Sequence, residues 1–349
     1  MDEKLVVSKW ETILMLVNLI SLKSLTVYPT FLKTLTSTGG WLAALCGSLV
    51  AVFITWITVM LYRRYADYSY AELLEKRYGS AMSHLLVIMA VVSMVITFSF
   101  FADFISNSLS VTHYSATPKW LLCLILIIPA IHGAYKGVGA TVRLSALTAI
   151  AMLVLFAITF LSVINDANLS EMYPVFGKNY PSFFKGVLFS ISVYSDFFQL
   201  LFLMPNVEKK KDMSYIWKRT MIISSAIFIL TVIMVQTSFM PEGYSAVSSI
   251  DRVEGYVKIG RFYARTQRLF SIVWLISYIC SFSVYFSHIT AFMQALTGLD
   301  RRFIITAGGV IVFVISVASP PLADAMTWMS FAWLGLPILT GLKRRERSR

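Results

Sequence analysis

The sequence predicts an all-α integral membrane protein with about ten transmembrane helices. Of its 349 residues, 57% are hydrophobic and 14% are charged, and the mean hydropathy is +0.72. Soluble domains are typically about 45–50% apolar and about 25% charged. Apolar runs of about 18 residues or more, each long enough to cross a ~30 Å hydrocarbon core, recur along the whole chain. A buried helix of a soluble protein would not repeat so often.

The apolar runs divide into two sets of five, and no gap between them has room for a soluble domain. We therefore expect a single transmembrane domain over residues 1–349. The first five spans are predicted near residues 11–32, 41–62, 85–111, 120–135 and 143–164. The second five are predicted near residues 184–205, 218–240, 269–296, 303–319 and 322–342.

The first and sixth spans each carry one ionisable residue near the middle, Lys23 and Asp196. A charge at the centre of a membrane span costs at least ~2.5–3.5 kcal/mol, so it needs a partner or a function. The stretch 27–31 shares three of five residues with 193–197, which suggests corresponding positions. We therefore predict a 5+5 inverted-repeat transporter architecture, in which such paired spans are broken and hold the substrate site.

The predicted repeats cover about 11–164 and 184–342, which brings Lys23 and Asp196 together as counter-ions. Pro29 removes a backbone hydrogen bond in span one, whereas Ser192, Ser195 and Asp196 compete for backbone hydrogen bonds in span six. Asp196 has two interpretations, a structural carboxylate paired with Lys23 or a contact to a ligand amine or a proton. Lys23 is either half of a structural ion pair or an ammonium standing where a related transporter holds a metal ion.

Ser195 of span six is a further candidate for ligand binding, and so are four other polar residues, each of which has a structural alternative. Tyr28 and Tyr194 flank the proposed breaks and could close over a ligand, although core tyrosines with a bonded hydroxyl are common. Asp103 lies in the outer part of span three, where a solvated rim position is the alternative. Tyr285 belongs to a polar stripe of span eight that should face the bundle interior whether or not it touches a ligand.

The formal charge of +12 is best explained by topology, not by nucleic-acid binding. With a cytoplasmic N-terminus, the cations collect on the inner face, as the positive-inside rule predicts, and the C-terminus is cytoplasmic too. These inner-face cations are Arg63, Arg64, Lys209, Lys210, Lys211, Arg301, Arg302, Lys343, Arg344, Arg345, Arg347 and Arg349.

The sequence contains no catalytic constellation, no phosphate-binding glycine loop and no metal-ligand spacing. Cys46, Cys123 and Cys280 fall inside predicted spans and are interpreted as small buried hydrophobes. We therefore predict that the protein is not an enzyme and uses no cofactor and no metal.

Four motifs lie at the ends of the spans. They are Gly40-Trp41, then Lys136-Gly137 with Arg143, then Pro205 with Lys209–Lys211, and finally Ile259-Gly260-Arg261-Phe262 with Arg265. In this order and spacing they resemble the spore-germination permease family, the membrane B-subunit of endospore germinant receptors. That family lies within the amino acid–polyamine–organocation transporters.

The resemblance implies a receptor subunit in the inner spore membrane that binds a small nutrient, an amino acid in the first instance, and triggers germination. Its partners would be a large membrane A-subunit, a lipoprotein C-subunit and the lipid bilayer. A stand-alone proton-coupled amino-acid permease is the alternative function. Gly139 replaces a family acidic residue, and span one lacks the glycine-rich break of the superfamily, so a structural scaffold with a vestigial cavity also remains open.

Overall fold

The structure is a computed structural model that describes residues 6–65, 68–112, 114–164, 167–238 and 263–318, together with Pro337. Apart from Pro337, the predicted tenth span and the C-terminal tail lie outside the described residues. So do most of the predicted outer loop 241–268 and the motif at Ile259. Within the described residues the backbone is helical almost throughout, with one isolated bridge between Val7 and Val207.

The α-helices of the described residues are numbered here in chain order. The first six are α1 (Lys9–Thr26), α2 (Tyr28–Thr36), α3 (Gly40–Tyr62), α4 (Tyr70–Tyr78), α5 (Ser80–Thr112) and α6 (Lys119–Tyr135). They are followed by α7 (Val138–Val163), α8 (Tyr180–Ser192), α9 (Gln199–Leu203), α10 (Met213–Ser238), α11 (Tyr263–Thr297) and α12 (Arg301–Ala318).

Seven helical stretches of the described residues are long and apolar enough to cross a membrane. They are Tyr28–Tyr65, Ser80–Val111, Val138–Val163, Tyr180–Asn206, Lys210–Thr237, Ser271–Thr297 and Arg301–Ala318. Helix α6 is apolar but shorter, at 17 residues. The prediction of an all-α membrane protein is confirmed. The count of ten spans stays a prediction, because α1 and α6 are not among the seven stretches and the tenth span lies outside the described residues.

Local sequence signals start several helices. Ser8 and Glu11 form a capping box at the start of α1, with the Ser8 amide donating to the Glu11 carboxylate at 2.9 Å. Ser69 and Glu72 repeat this arrangement at α4. Such reciprocal bonds satisfy amide groups that have no partner within the helix. Helix α4 buries Leu73 and Leu74.

In an inverted repeat, a contact between a helix of the first repeat and one of the second should recur between their counterparts, and the helix packing shows this pattern. Helix α1 packs against α10, and its counterpart α8 packs against α3. Likewise, α6 packs against α11, and α12 packs against α5. These matched neighbours support the two-repeat arrangement, and the limits of the repeats remain a prediction.

Both predicted breaks are present, and both are buried. Helix α1 ends at Thr26, and α2 begins at Tyr28 with Pro29 in its first turn, a position that tolerates the missing amide hydrogen. Span six changes at Val193–Phe198 into a six-residue 3₁₀ segment before α9 begins. Such a stretch inside a helix marks a hinge or a strained site.

Candidate functional site

The two broken spans are joined by a buried ion pair. The Lys23 Nζ atom lies 2.7 Å from Asp196 Oδ1, and the side chains are 4% and 5% exposed. Lys23 comes from the last turn of α1, and Asp196 comes from the 3₁₀ segment of span six. The expected counter-ion relationship is therefore observed.

Neighbouring groups complete the hydrogen bonds of this pair on one side. Lys23 also donates to Ser195 Oγ at 3.2 Å, and its Nζ atom lies 5.6 Å from the centre of the Phe101 ring. The Tyr285 hydroxyl of α11 donates to the same oxygen, Asp196 Oδ1. Four of the predicted site residues are thus brought together: Lys23, Ser195, Asp196 and Tyr285.

The second oxygen of the carboxylate, Asp196 Oδ2, is buried and has no hydrogen-bond partner among the described residues. A buried acceptor without a donor costs about 1–3 kcal/mol, and more when it is charged. The arrangement can therefore accept one further donor, such as a ligand ammonium group or a water molecule.

A small cavity lies beside Asp196. Its free volume is about 10 Å³, which is room for about one water molecule. The cavity is lined by Met94, Thr97, Ser195, Asp196, Phe198, Gln199, Phe202 and Tyr285. Among the described residues the site is therefore closed around its ion pair, and the cavity wall combines one charged group with neutral polar and apolar side chains.

Tyr28 joins the two breaks without lining this cavity. Its hydroxyl lies 2.9 Å from Ser192 Oγ, and its ring stacks on Phe189 with centroids 4.5 Å apart. Tyr28 in span one is thus tied to the turn that immediately precedes the 3₁₀ segment of span six.

Tyr194 and Asp103 are placed elsewhere. The Tyr194 hydroxyl lies 2.7 Å from Ser48 Oγ and donates to Ser225 Oγ at 3.1 Å, so it faces α3 and α10. Asp103 forms an ion pair with Lys119, and their side chains are 24% and 28% exposed. The structure brings neither residue to the Lys23–Asp196 pair.

Sequence reasoning missed several residues of the cavity wall. Gln199 follows Asp196 by three residues, a helical spacing that could have revealed it, and its Oε1 atom lies 2.5 Å from His288 Nδ1. Met94 and Thr97 carry no comparable signal, because they lie in a continuous apolar run of α5. Their contribution depends on how α5 is rotated.

A second buried polar cluster lies between α1, α7 and α11. The Asn18 amide nitrogen lies 3.1 Å from Ser145 Oγ, 3.3 Å from Thr148 Oγ1 and 3.1 Å from Ser281 Oγ. These bonds tie the three helices together with neutral groups. No group of three His, Cys, Asp or Glu side chains suited to a metal ion occurs within the described part of the chain.

Comparison with known protein families shows which family the chain belongs to. A family model described as Spore germination protein matches residues 6–321, nearly the whole length. The chain belongs to this family. No curated protein sequence matches it significantly.

Solved structures show the same fold at low sequence identity. MhsT in complex with L-phenylalanine has a TM-score of 0.71 and 13% identity, over 97% of this chain and 89% of the other. A substrate-bound outward-open Na⁺-coupled sialic acid symporter has a TM-score of 0.72 and 12% identity, over 96% of this chain and 79% of the other. The nucleobase-cation-symport-1 family transporter MHP1 was solved in a closed conformation with bromovinylhydantoin bound. It has a TM-score of 0.66 and 9% identity, over 96% of this chain and 78% of the other. This family member therefore has a transporter fold.

Proposed function

We propose that this protein is the membrane subunit of a spore germinant receptor and binds a small nutrient, an amino acid, where its two broken spans meet. The observation that carries the proposal is the buried Lys23–Asp196 pair with one carboxylate oxygen left unpartnered among the described residues. Family membership supports the role in germination.

The chemistry of the site matches an amino acid at both ends. A ligand ammonium group can donate to Asp196 Oδ2, and a ligand carboxylate can accept from Lys23. Met94, Phe198 and Phe202 offer apolar contacts to a side chain. MhsT, which shares the fold, was solved in complex with L-phenylalanine, and this supports an amino acid as the ligand class.

Binding must open the site, because about 10 Å³ cannot hold an amino acid. The ligand would separate Lys23 from Asp196 and take over their charges, so the 3₁₀ segment of span six would move relative to α1. A ligand that binds the open arrangement better shifts the population toward it. In our proposal a large membrane A-subunit and a lipoprotein C-subunit detect that shift in the inner spore membrane, with both termini of this chain cytoplasmic.

Germination of a deletion strain tests the proposal. The strain is challenged with a panel of amino acids, sugars and nucleosides, with and without the wild-type gene. We expect the gene to restore the response to one or more amino acids. Asp196→Asn should abolish that response, because a neutral amide cannot balance Lys23 and a ligand ammonium group.

Asp103→Asn is the matched control, since it removes the other span carboxylate that is paired with a lysine. It should leave the response intact. An unchanged response of Asp196→Asn at normal protein level would contradict the proposed role. Uptake of a radiolabelled amino acid by the purified protein in liposomes would instead favour the stand-alone permease.

A further inference from the structure

An open cleft lies on the basic face of the bundle, and it shares no lining residue with the cavity beside Asp196. Its volume is about 430 Å³, and it is lined by Arg63, Arg64, Lys210, Lys211 and Ser214. The arginines follow α3, and the lysines precede α10. Since α3 packs against α10, the fold brings the two basic pairs together.

The described part of the cleft wall carries four cations and no carboxylate. The fifth described lining residue, Ser214, is neutral. Arg63, Arg64 and Lys211 form no ion pair with any described residue. Glu208 and Asp212, the acidic residues beside the two lysines in sequence, do not line the cleft, and Asp67, near the arginines, lies outside the described residues. Four cations and one hydroxyl around an open space suit a phosphate group, because arginine binds phosphate in a bidentate manner and lysine adds a point charge.

Aromatic residues next to the cleft in sequence indicate that it lies at the level of lipid headgroups. Tyr215 directly follows Ser214, and the edge of Trp10 meets it with ring centroids 5.8 Å apart. Lys9 and Arg219 lie over the Tyr215 ring at 5.2 Å and 5.3 Å. Tryptophan and tyrosine with adjacent cations are typical of the membrane interface.

The helices that form the cleft offer apolar surface on its membrane side. Met60 lies one turn before Arg63 on α3 and is 50% exposed, and Ile222 lies two turns after Ser214 on α10 and is 55% exposed. A soluble phosphate needs no such surface, whereas the acyl chains of a lipid do. Basic pockets between transmembrane helices on the cytoplasmic side are typical sites for anionic headgroups.

We propose that this cleft binds the phosphate headgroup of an anionic phospholipid, with the acyl chains lying along the exposed faces of α3 and α10. The bound lipid bridges the end of α3 and the start of α10. It therefore stabilises the packing of the second span against the seventh.

The test compares lipid binding by the full-length protein and two charge variants. Arg63→Gln/Arg64→Gln and Lys210→Gln/Lys211→Gln each remove two cleft cations. The matched control, Lys136→Gln/Arg302→Gln, removes two exposed cations outside the cleft, one directly after α6 and one in the first turn of α12. Retention of phosphatidylglycerol is measured by native mass spectrometry, and thermal stability is measured in vesicles of phosphatidylcholine with and without phosphatidylglycerol.

We expect phosphatidylglycerol to stabilise the wild type and to bind roughly 30-fold more weakly to each cleft variant, given about 1 kcal/mol for each basic residue near an anionic surface. The control should bind like the wild type. Melting in pure phosphatidylcholine shows which variants fold, and either cleft variant alone suffices for the test.

Two results would overturn the proposal. An equal loss in the control would show that diffuse surface charge attracts the lipid, with no dedicated site. Stabilisation of the wild type by inorganic phosphate in pure phosphatidylcholine, absent from the cleft variants and equal to that by phosphatidylglycerol, would identify the ligand as a soluble anion.

Discussion

The two broken spans interrupt helical backbone inside the membrane in different ways. The break in span one involves Val27 alone, between two helices that are otherwise regular. The break in span six extends over Val193–Phe198, which keeps a tighter 3₁₀ path. Buried backbone in a membrane must be satisfied internally. The Val27 amide donates to the Lys23 carbonyl, and the Gln199 amide, directly after the second break, donates to the Asp196 carbonyl.

The two breaks differ in length because they position side chains of different length. Lys23 has a long flexible stem and reaches its partner from within α1. Asp196 has a short side chain, so its backbone must carry the carboxylate to the centre of the bundle. Four predictions on stability test how strongly the groups around the two breaks are held, from the largest expected effect to the smallest.

Breaking the ion pair should have the largest effect. Lys23→Met leaves the Asp196 carboxylate buried without a counter-ion and should lower the free energy of unfolding by about 3–5 kcal/mol. Lys23→Met/Asp196→Leu should recover most of that loss, because no buried charge remains. Denaturation in detergent of the wild type, both single variants and the double variant measures the coupling. If the double variant loses the sum of the single losses, the two residues are not coupled.

The two tyrosines that hydrogen-bond to span six, from α11 and from α2, should contribute unequally to stability. Tyr285→Phe removes a hydrogen bond to a carboxylate and should cost about 1.5–3 kcal/mol, whereas Tyr28→Phe removes one to the Ser192 hydroxyl and should cost about 0.5–1.5 kcal/mol. Both variants keep the ring and its packing, so each serves as the control for the other in the same unfolding measurement. A larger loss for Tyr28→Phe would show that the break in span one is the more constrained.

Helix α3 lies so close to the end of α8 that an added methyl group at the contact should destabilise the protein. A Cβ atom at Gly47 would lie 2.5 Å from Ser190 Cβ and 2.8 Å from the Val187 carbonyl oxygen. Gly47→Ala should therefore destabilise the protein by about 1–3 kcal/mol through overpacking.

Gly308→Ala is the control for this prediction, since the added Cβ would meet Phe286 at an ordinary 3.6 Å. Thermal melting in detergent should rank the control near the wild type and well above Gly47→Ala. Equal melting of the two variants would mean that α8 can move away from α3 without loss, and the end of α8 would then be loosely held.

The partly exposed ion pair should matter least. Asp103→Asn breaks the contact with Lys119, yet water reaches both side chains, so the loss of stability should be about 0–1 kcal/mol. High salt should shrink the difference further, because exposed charges are screened. If Asp103→Asn lowered the free energy of unfolding as much as Lys23→Met, the buried and the partly exposed ion pair would contribute equally to stability.

The sequence predicted the central pair because two lone charges in apolar spans have few other partners. It also predicted both breaks, from Pro29 and from the polar residues around Asp196. It did not predict the direction of Tyr194, which resembles Tyr28 in sequence position but faces α3 and α10. Nor did it predict the wall from α5, since an apolar helix gives little indication of which face is turned inward.

Hydropathy and charge placement are local properties, so the sequence by itself determined the membrane class, the approximate spans and the two charges that must meet. Only the tertiary structure decided which carboxylate oxygen lacks a partner among the described residues, how small the cavity is, and that Arg63 and Lys210 share one cleft. Those features depend on the rotation and packing of helices far apart in the chain. The pattern of apolar spans does not encode side-chain packing, and small changes in that packing determine these features.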